Sequence, residues 1–150
     1  MAYAVVKREA MASENVANLR KSFKYLPSGT ATAVENGNVV KATSVISGER
    51  ELLEGSTPLV NTELKDILLV TTPEVMADER KKNLDEFINE AGAIATGDRL
   101  ISGDIFTVTA DAFTAAATVE VGDVVELAAS TKLNVVAAST GATSGTSTSS

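Results

Sequence analysis

The sequence predicts a mainly β protein of the α+β class. We expect a compact, barrel-like β-sheet domain with one helix packed on it, an extended N-terminal arm and a flexible C-terminal tail. The main observation is a short motif that occurs three times in residues 94–127. It consists of a Gly-Asp pair followed by β-branched and other apolar residues. Glycine adopts the positive φ of a tight turn, aspartate caps the turn, and the residues that follow suit a pleated strand. The pairs are Gly97-Asp98, Gly103-Asp104 and Gly122-Asp123.

The length of 150 residues suits one domain with tails rather than two domains. We place an N-terminal arm at residues 1–24, a β-rich domain at residues 25–138 and a tail at residues 139–150. Every residue of the tail is Ser, Thr, Gly or Ala. Such a segment buries too little apolar surface to offset its ordering entropy, so we expect it to be disordered.

The N-terminal arm begins with an apolar, strand-like segment, residues 2–6. Residues 10–23 have an uneven helical spacing, which leaves a short helix and an extended arm as equal alternatives. An arm with so few core residues gains order by lying on something else, and another chain is one candidate.

An Asn-Gly pair gives the strongest hairpin signal in the chain. Asn36 and Gly37 separate a predicted strand at residues 30–34 from a return strand at residues 38–46. The acidic residues that follow, Glu49, Glu51 and Glu54, are typical of a solvated edge.

A continuous apolar run at residues 67–70 predicts a strand that is buried on both faces. Residues 77–91 carry apolar side chains at helical spacing, which predicts the single helix. Further along, period-two alternation places Phe106 and Val108 on the core face of a strand, and residues 132–137 form the last predicted strand.

Composition argues against several classes of function. The chain has no His and no Cys, which removes the commonest general base, thiolate nucleophiles and zinc–thiolate sites. The formal net charge of −7 disfavours nucleic acid and anionic membranes as partners. The aspartates do not have the spacing of a calcium-binding loop. We therefore expect no enzymatic activity, no catalytic residues, no cofactor and no metal.

The C-terminal half resembles a family of small tailed-phage head proteins, the capsid decoration or cement proteins. The likeness lies in residues 75–113 and in a VGD turn at residues 121–123. Within the first range it is carried in particular by an NEAG segment at residues 89–92, Leu100, a GDIFTVT strand at residues 103–109 and Phe113. The motifs are structural, and the matching region covers about a third of the chain directly.

The resemblance implies a non-enzymatic virion protein on the capsid exterior, made in the host cytoplasm, that binds the major capsid protein and stabilises the head. It also allows self-association on the capsid lattice. We expect the contact to lie in the start of the arm, by strand addition to a neighbouring sheet edge. The predicted contact residues are Ala2, Tyr3, Ala4, Val5 and Val6.

A free-standing, non-enzymatic β-barrel module that recognises a peptide or glycan is the alternative. The arm distinguishes the two hypotheses. An arm that becomes ordered only on a shell favours decoration, whereas an arm that packs within its own chain favours the free module.

Overall fold

The computed structural model describes residues 3–76, 78, 80, 83–114 and 119–136. Within these residues the chain is mainly β and contains a closed barrel, so the predicted fold class is confirmed. Its strands are β1 (Val6–Ala10), β2 (Arg20–Tyr25), β3 (Val39–Val45), β4 (Leu52–Ser56), β5 (Ile67–Val70), β6 (Ala95–Arg99), β7 (Ile105–Val108), β8 (Val124–Glu126) and β9 (Asn134–Val136). Single turns of 3-10 helix lie between them at Ala12–Glu14, Ala17–Leu19, Pro27–Gly29, Leu64–Asp66, Leu84–Glu86 and Ala110–Ala112.

The five strands of the barrel follow the order β2-β4-β3-β5-β6, and β6 pairs back with β2. β2 and β4 are parallel, and the other neighbours are antiparallel. Closure pairs each of these strands on both sides, which removes the free edges that invite aggregation.

The apolar run of β5 is buried along its whole length, as predicted. Leu68 and Val70 belong to the cluster inside the barrel, whereas Ile67 and Leu69 belong to a second cluster outside it. Because successive side chains of a strand point to opposite faces, one short strand supplies both cores.

Two glycines make room for the aromatic ring at the centre of the barrel. A β-carbon at Gly55 would lie 2.8 Å from Cδ2 of Phe23, and one at Gly97 would lie 3.2 Å from Cε1 of the same ring and 2.8 Å from Cβ of Leu68. The turn predicted at Gly97 and Asp98 is therefore wrong, because both residues lie within β6. There the glycine permits close packing.

The side chain of Asp98 points away from solvent and joins the N-terminal segment to the barrel. It is fully buried, accepts a hydrogen bond from the Thr71 hydroxyl (2.9 Å) and lies 3.4 Å from the Arg8 guanidinium. Arg8 also pairs with Glu14 at 2.8 Å. A buried carboxylate needs such partners, because an unpaired buried charge is costly.

The N-terminal segment packs on the barrel of its own chain. β1 pairs antiparallel with β7, and Ala4 and Met11 are buried in the second core beside Leu69. The predicted boundary between an arm at residues 1–24 and a domain from residue 25 is wrong, because it cuts through the barrel strand β2. Sequence reasoning did not predict β2, because this strand carries several charged residues and only two buried apolar ones.

The hairpin predicted around the Asn-Gly pair is wrong, because residues 30–34 do not pair with the return strand. Gly37 has a positive φ of 81° and lies in a turn, and the return strand exists as β3. However, β3 pairs with β4 and β5. Val34 forms an isolated bridge with Asn89 instead. The glycines at 103 and 122 also have positive φ, as a turn requires.

The helix predicted over residues 77–91 is wrong in the part that the structure describes. Only Leu84–Glu86 is helical there, as a single 3-10 turn closed by a capping box. The backbone is extended at Phe87, and Asn89 pairs with Val34. Residues 87 and 89 are buried with the period of a strand, and the backbone of Asn89 exchanges hydrogen bonds with Val34 in place of helical ones. The predicted tail at residues 139–150 lies outside the described residues.

Candidate docking surface

The residues predicted to contact a capsid are held within their own chain. Backbone N–H groups of this segment donate to Asp85, Glu35 and Thr109, from Tyr3, Ala4 and Val5 respectively. Ala4 is 1% exposed, and Val6 pairs with β7, while Ala2 lies outside the described residues. Strand addition through this segment would break those bonds, so the structure argues against the expected contact.

An apolar groove of about 600 Å³ lies where the second core reaches the surface. Its floor is made by buried or half-buried side chains, and its rim by exposed ones. The lining residues are Val39, Val60, Thr62, Leu64, Ile67, Leu100, Phe106, Val125, Glu126, Leu127 and Leu133.

Three rim residues expose much of their apolar surface to water. Val60 is 73% exposed, Leu64 is 68% exposed and Val125 is 48% exposed. Single exposed apolar residues are ordinary, but a set that lines one groove is typical of an interaction site.

The loop between β4 and β5 holds one side of this rim in place. The N–H of Leu59 donates to the Thr62 hydroxyl (2.9 Å), and the N–H of Thr62 donates back to the carbonyl of Leu59 (3.0 Å). This closed turn places Val60 at its tip, where the side chain is exposed. Leu64 follows in a 3-10 turn that leads directly into the buried start of β5.

The ribbon of β8 and β9 forms the other side of the rim. Val125 pairs with Val135, and Leu133, just before β9, is buried in the second core. Leu133 also bridges to Phe113. The ribbon is therefore anchored through Leu133, whereas all three residues of β8 are exposed.

Charge at the groove is sparse. Among the described residues that line it, Glu126 is the only ionisable one, and the nearby Glu63 and Lys65 pair with each other at 2.7 Å. The surface thus offers a partner apolar contact with few charges to desolvate.

The turn aspartates have local structural partners. Asp104 accepts hydrogen bonds from the N–H groups of Ile101 (2.9 Å) and Ala12 (2.8 Å), and Asp123 accepts one from Glu120 (2.8 Å). In the described part of the chain, no three His, Cys, Asp or Glu residues are grouped so that they could hold a metal ion. A helix with the length and apolar character needed to span a membrane is likewise absent from the described residues.

Sequence reasoning missed the groove because its lining comes from distant segments, between Val39 and Leu133. The available signal was Leu59, Val60 and Leu64 in an otherwise polar loop without strand or helix period. Apolar residues in such a loop are candidates for an exposed contact.

The fold and groove define a small, mainly β protein with a closed five-stranded barrel and an apolar surface groove. No protein-family model, no curated protein and no solved structure matches the chain.

Proposed function

We propose that this chain is a non-enzymatic structural protein that binds the outer surface of a phage capsid and stabilises the head. The observation that carries the proposal is the apolar groove at the second core, whose rim leaves Val60, Leu64 and Val125 exposed. The family resemblance of residues 89–123 gives the partner, the major capsid protein.

The groove replaces the N-terminal segment as the proposed contact. Covering one of its exposed aliphatic side chains contributes about 1–2 kcal/mol. A few such side chains, after the cost of association, support only a weak single contact. A capsid presents many equivalent sites, and contacts between neighbouring copies on the lattice add to each single contact.

Co-sedimentation with empty mature heads of the encoding phage tests the proposal. The full chain is compared with Leu64→Ser and Val125→Ser, each of which removes an apolar rim group. Val75→Ser is the matched control, because Val75 is 81% exposed and does not line the groove. We expect saturable binding that each groove variant weakens about tenfold and the control leaves unchanged.

The proposal is wrong if the full chain stays in the supernatant at micromolar concentration. If the chain binds but Val75→Ser weakens binding as much as Leu64→Ser, heads are still the partner but the groove is not the contact.

A free-standing peptide-binding module is the second candidate, and one observation favours it. Residues 3–11 pack on the barrel of their own chain, so the folded unit needs no shell to order them. This candidate predicts that heads do not bind. It also predicts that an apolar peptide selected from a library binds the full chain and loses affinity for Leu64→Ser.

A further inference from the structure

A second pocket, of about 500 Å³, opens beside the barrel where β2, β6 and the loop between β3 and β4 meet. Its lining includes four cationic side chains and one carboxylate, that of Glu51. The cations are Arg20, Lys21, Arg50 and Arg99. The chain as a whole has 13 basic and 20 acidic residues, so the pocket reverses the overall charge balance.

None of the four cations forms an ion pair within 4 Å with a carboxylate of the described residues. The ion pairs of the described residues involve Arg8, Lys65, Arg80 and Lys132, and none reaches this pocket. Glu51 lines the pocket but makes no ion pair there within 4 Å. Grouped like charges repel each other, and a bound anion relieves that repulsion.

Two of the guanidinium groups are held in position by backbone carbonyls. Arg99 donates to the carbonyls of Lys65 (2.7 Å) and Ala42 (2.8 Å), and Arg20 donates to the carbonyl of Thr71 (3.2 Å). These bonds fix the groups without neutralising their charge. Fixed guanidinium groups lose little side-chain entropy when they bind a carboxylate.

The rest of the lining is partly apolar. Val45 is exposed on the wall, and the half-buried side chain of Leu53 lies beside it. An anion with a hydrocarbon stem matches this combination better than a bare inorganic ion does, because the stem covers the apolar wall while the head meets the cations.

We propose that this pocket binds the carboxylate side chains of an acidic segment of a partner protein. The inference goes beyond the proposed function, because the pocket and the apolar groove share no lining residue. The chain would then have two separate contact sites, one apolar and one cationic.

Fluorescence anisotropy with a fluorescein-labelled peptide of alternating Glu and Ala tests the proposal at low ionic strength, where charge screening is weak. The matched peptide has Gln in place of Glu. The test variants are Arg50→Gln, in the exposed loop, and Lys21→Gln. Lys7→Gln is the control, because Lys7 is an exposed cation outside the pocket. Inorganic phosphate is added as a competitor.

We expect the Glu peptide to bind and the Gln peptide not to bind. Each pocket variant weakens binding about tenfold, as loss of one charged hydrogen bond does, and Lys7→Gln leaves it unchanged. No binding of the Glu peptide at millimolar concentration would overturn the proposal, as would an equal loss with Lys7→Gln. Binding of phosphate at the pocket without binding of the Glu peptide would assign the pocket to a free oxyanion and equally overturn it.

Discussion

The fit of the Phe23 ring between two glycines yields a prediction that can be measured through a double-mutant cycle. In Gly55→Ala, the new methyl would lie 2.8 Å from Cδ2 and 3.3 Å from Cε2 of Phe23. Carbon atoms in contact prefer roughly 3.5–4.0 Å, so ring and strand must separate by about 0.7 Å. Overpacking of this kind costs about 1–3 kcal/mol of unfolding free energy.

The second mutation of the cycle is Phe23→Val, which removes the ring atoms that meet the new methyl. In that background we expect Gly55→Ala to cost at least about 1 kcal/mol less than in the natural chain, because neighbouring sites couple. Gly97→Ala serves as the matched comparison. Its methyl would lie 2.8 Å from Cβ of Leu68, an atom fixed to the backbone, and 3.2 Å from Cε1 of Phe23. Phe23→Val should therefore relieve only the smaller part of the cost of Gly97→Ala.

Urea unfolding followed by circular dichroism measures each free energy. With a slope of about 1–3 kcal/mol per molar urea, a cost of 2 kcal/mol moves the midpoint by about 1 M. Equal costs of Gly55→Ala in both backgrounds would refute the packing that we describe around the ring.

Two other predictions concern the contacts that hold the N-terminal segment and the turn before β3. Arg8→Met leaves the buried Asp98 carboxylate without its cation and should lower the free energy of unfolding in urea by about 3–5 kcal/mol. Adding Asp98→Asn removes the unpaired charge and should recover much of this loss. No recovery would show that the ion pair is not the cause. Gly37→Ala places a methyl 3.1 Å from Cγ1 of Val108 at a φ of 81°, whereas Gly48→Ala has a similar φ of 86° and open space around it. Gly48→Ala should lower the free energy of unfolding by roughly 1–2 kcal/mol through backbone strain alone, and Gly37→Ala should lower it measurably more. Equal losses in thermal unfolding would show that Val108 moves aside freely.

The elements that depend on local pattern were predictable from the sequence. The run at β5 is apolar at every position, which is the pattern of a strand covered on both faces. The alternation in β7 likewise placed Phe106 and Val108 against the second core, where they pack. In both cases the residues concerned are neighbours along the chain.

The Gly-Asp pair corresponds to a turn at two positions and to a strand at the third. Gly103 and Gly122 precede aspartates and have positive φ, but Gly97 precedes an aspartate and lies in a strand. What distinguishes Gly97 is its approach to Phe23 and Leu68, which come from other strands. No pattern within a few residues of Gly97 contains that information.

The candidate sites were beyond sequence reasoning for the same reason. Val60 and Val125 meet at one groove although 65 positions separate them, and Arg20 and Arg99 meet at one pocket from β2 and β6. Barrel closure brings Arg20 and Arg99 together, whereas packing of the β8–β9 ribbon on the second core brings Val125 to the same groove as Val60. The apolar start of the chain seemed free because its strand partner β7 lies about a hundred residues away, and the second core on which it packs is assembled from several distant segments.

Hydrogen exchange of the chain, measured free and bound to phage heads, tests the central claim most directly. The proposed docking through the groove predicts slower amide exchange on heads in residues 59–64 and 124–127. Residues 3–5 should be unchanged, because their N–H groups are already hydrogen-bonded in the free chain. Protection confined to residues 3–6 would contradict the account and restore the N-terminal segment as the contact.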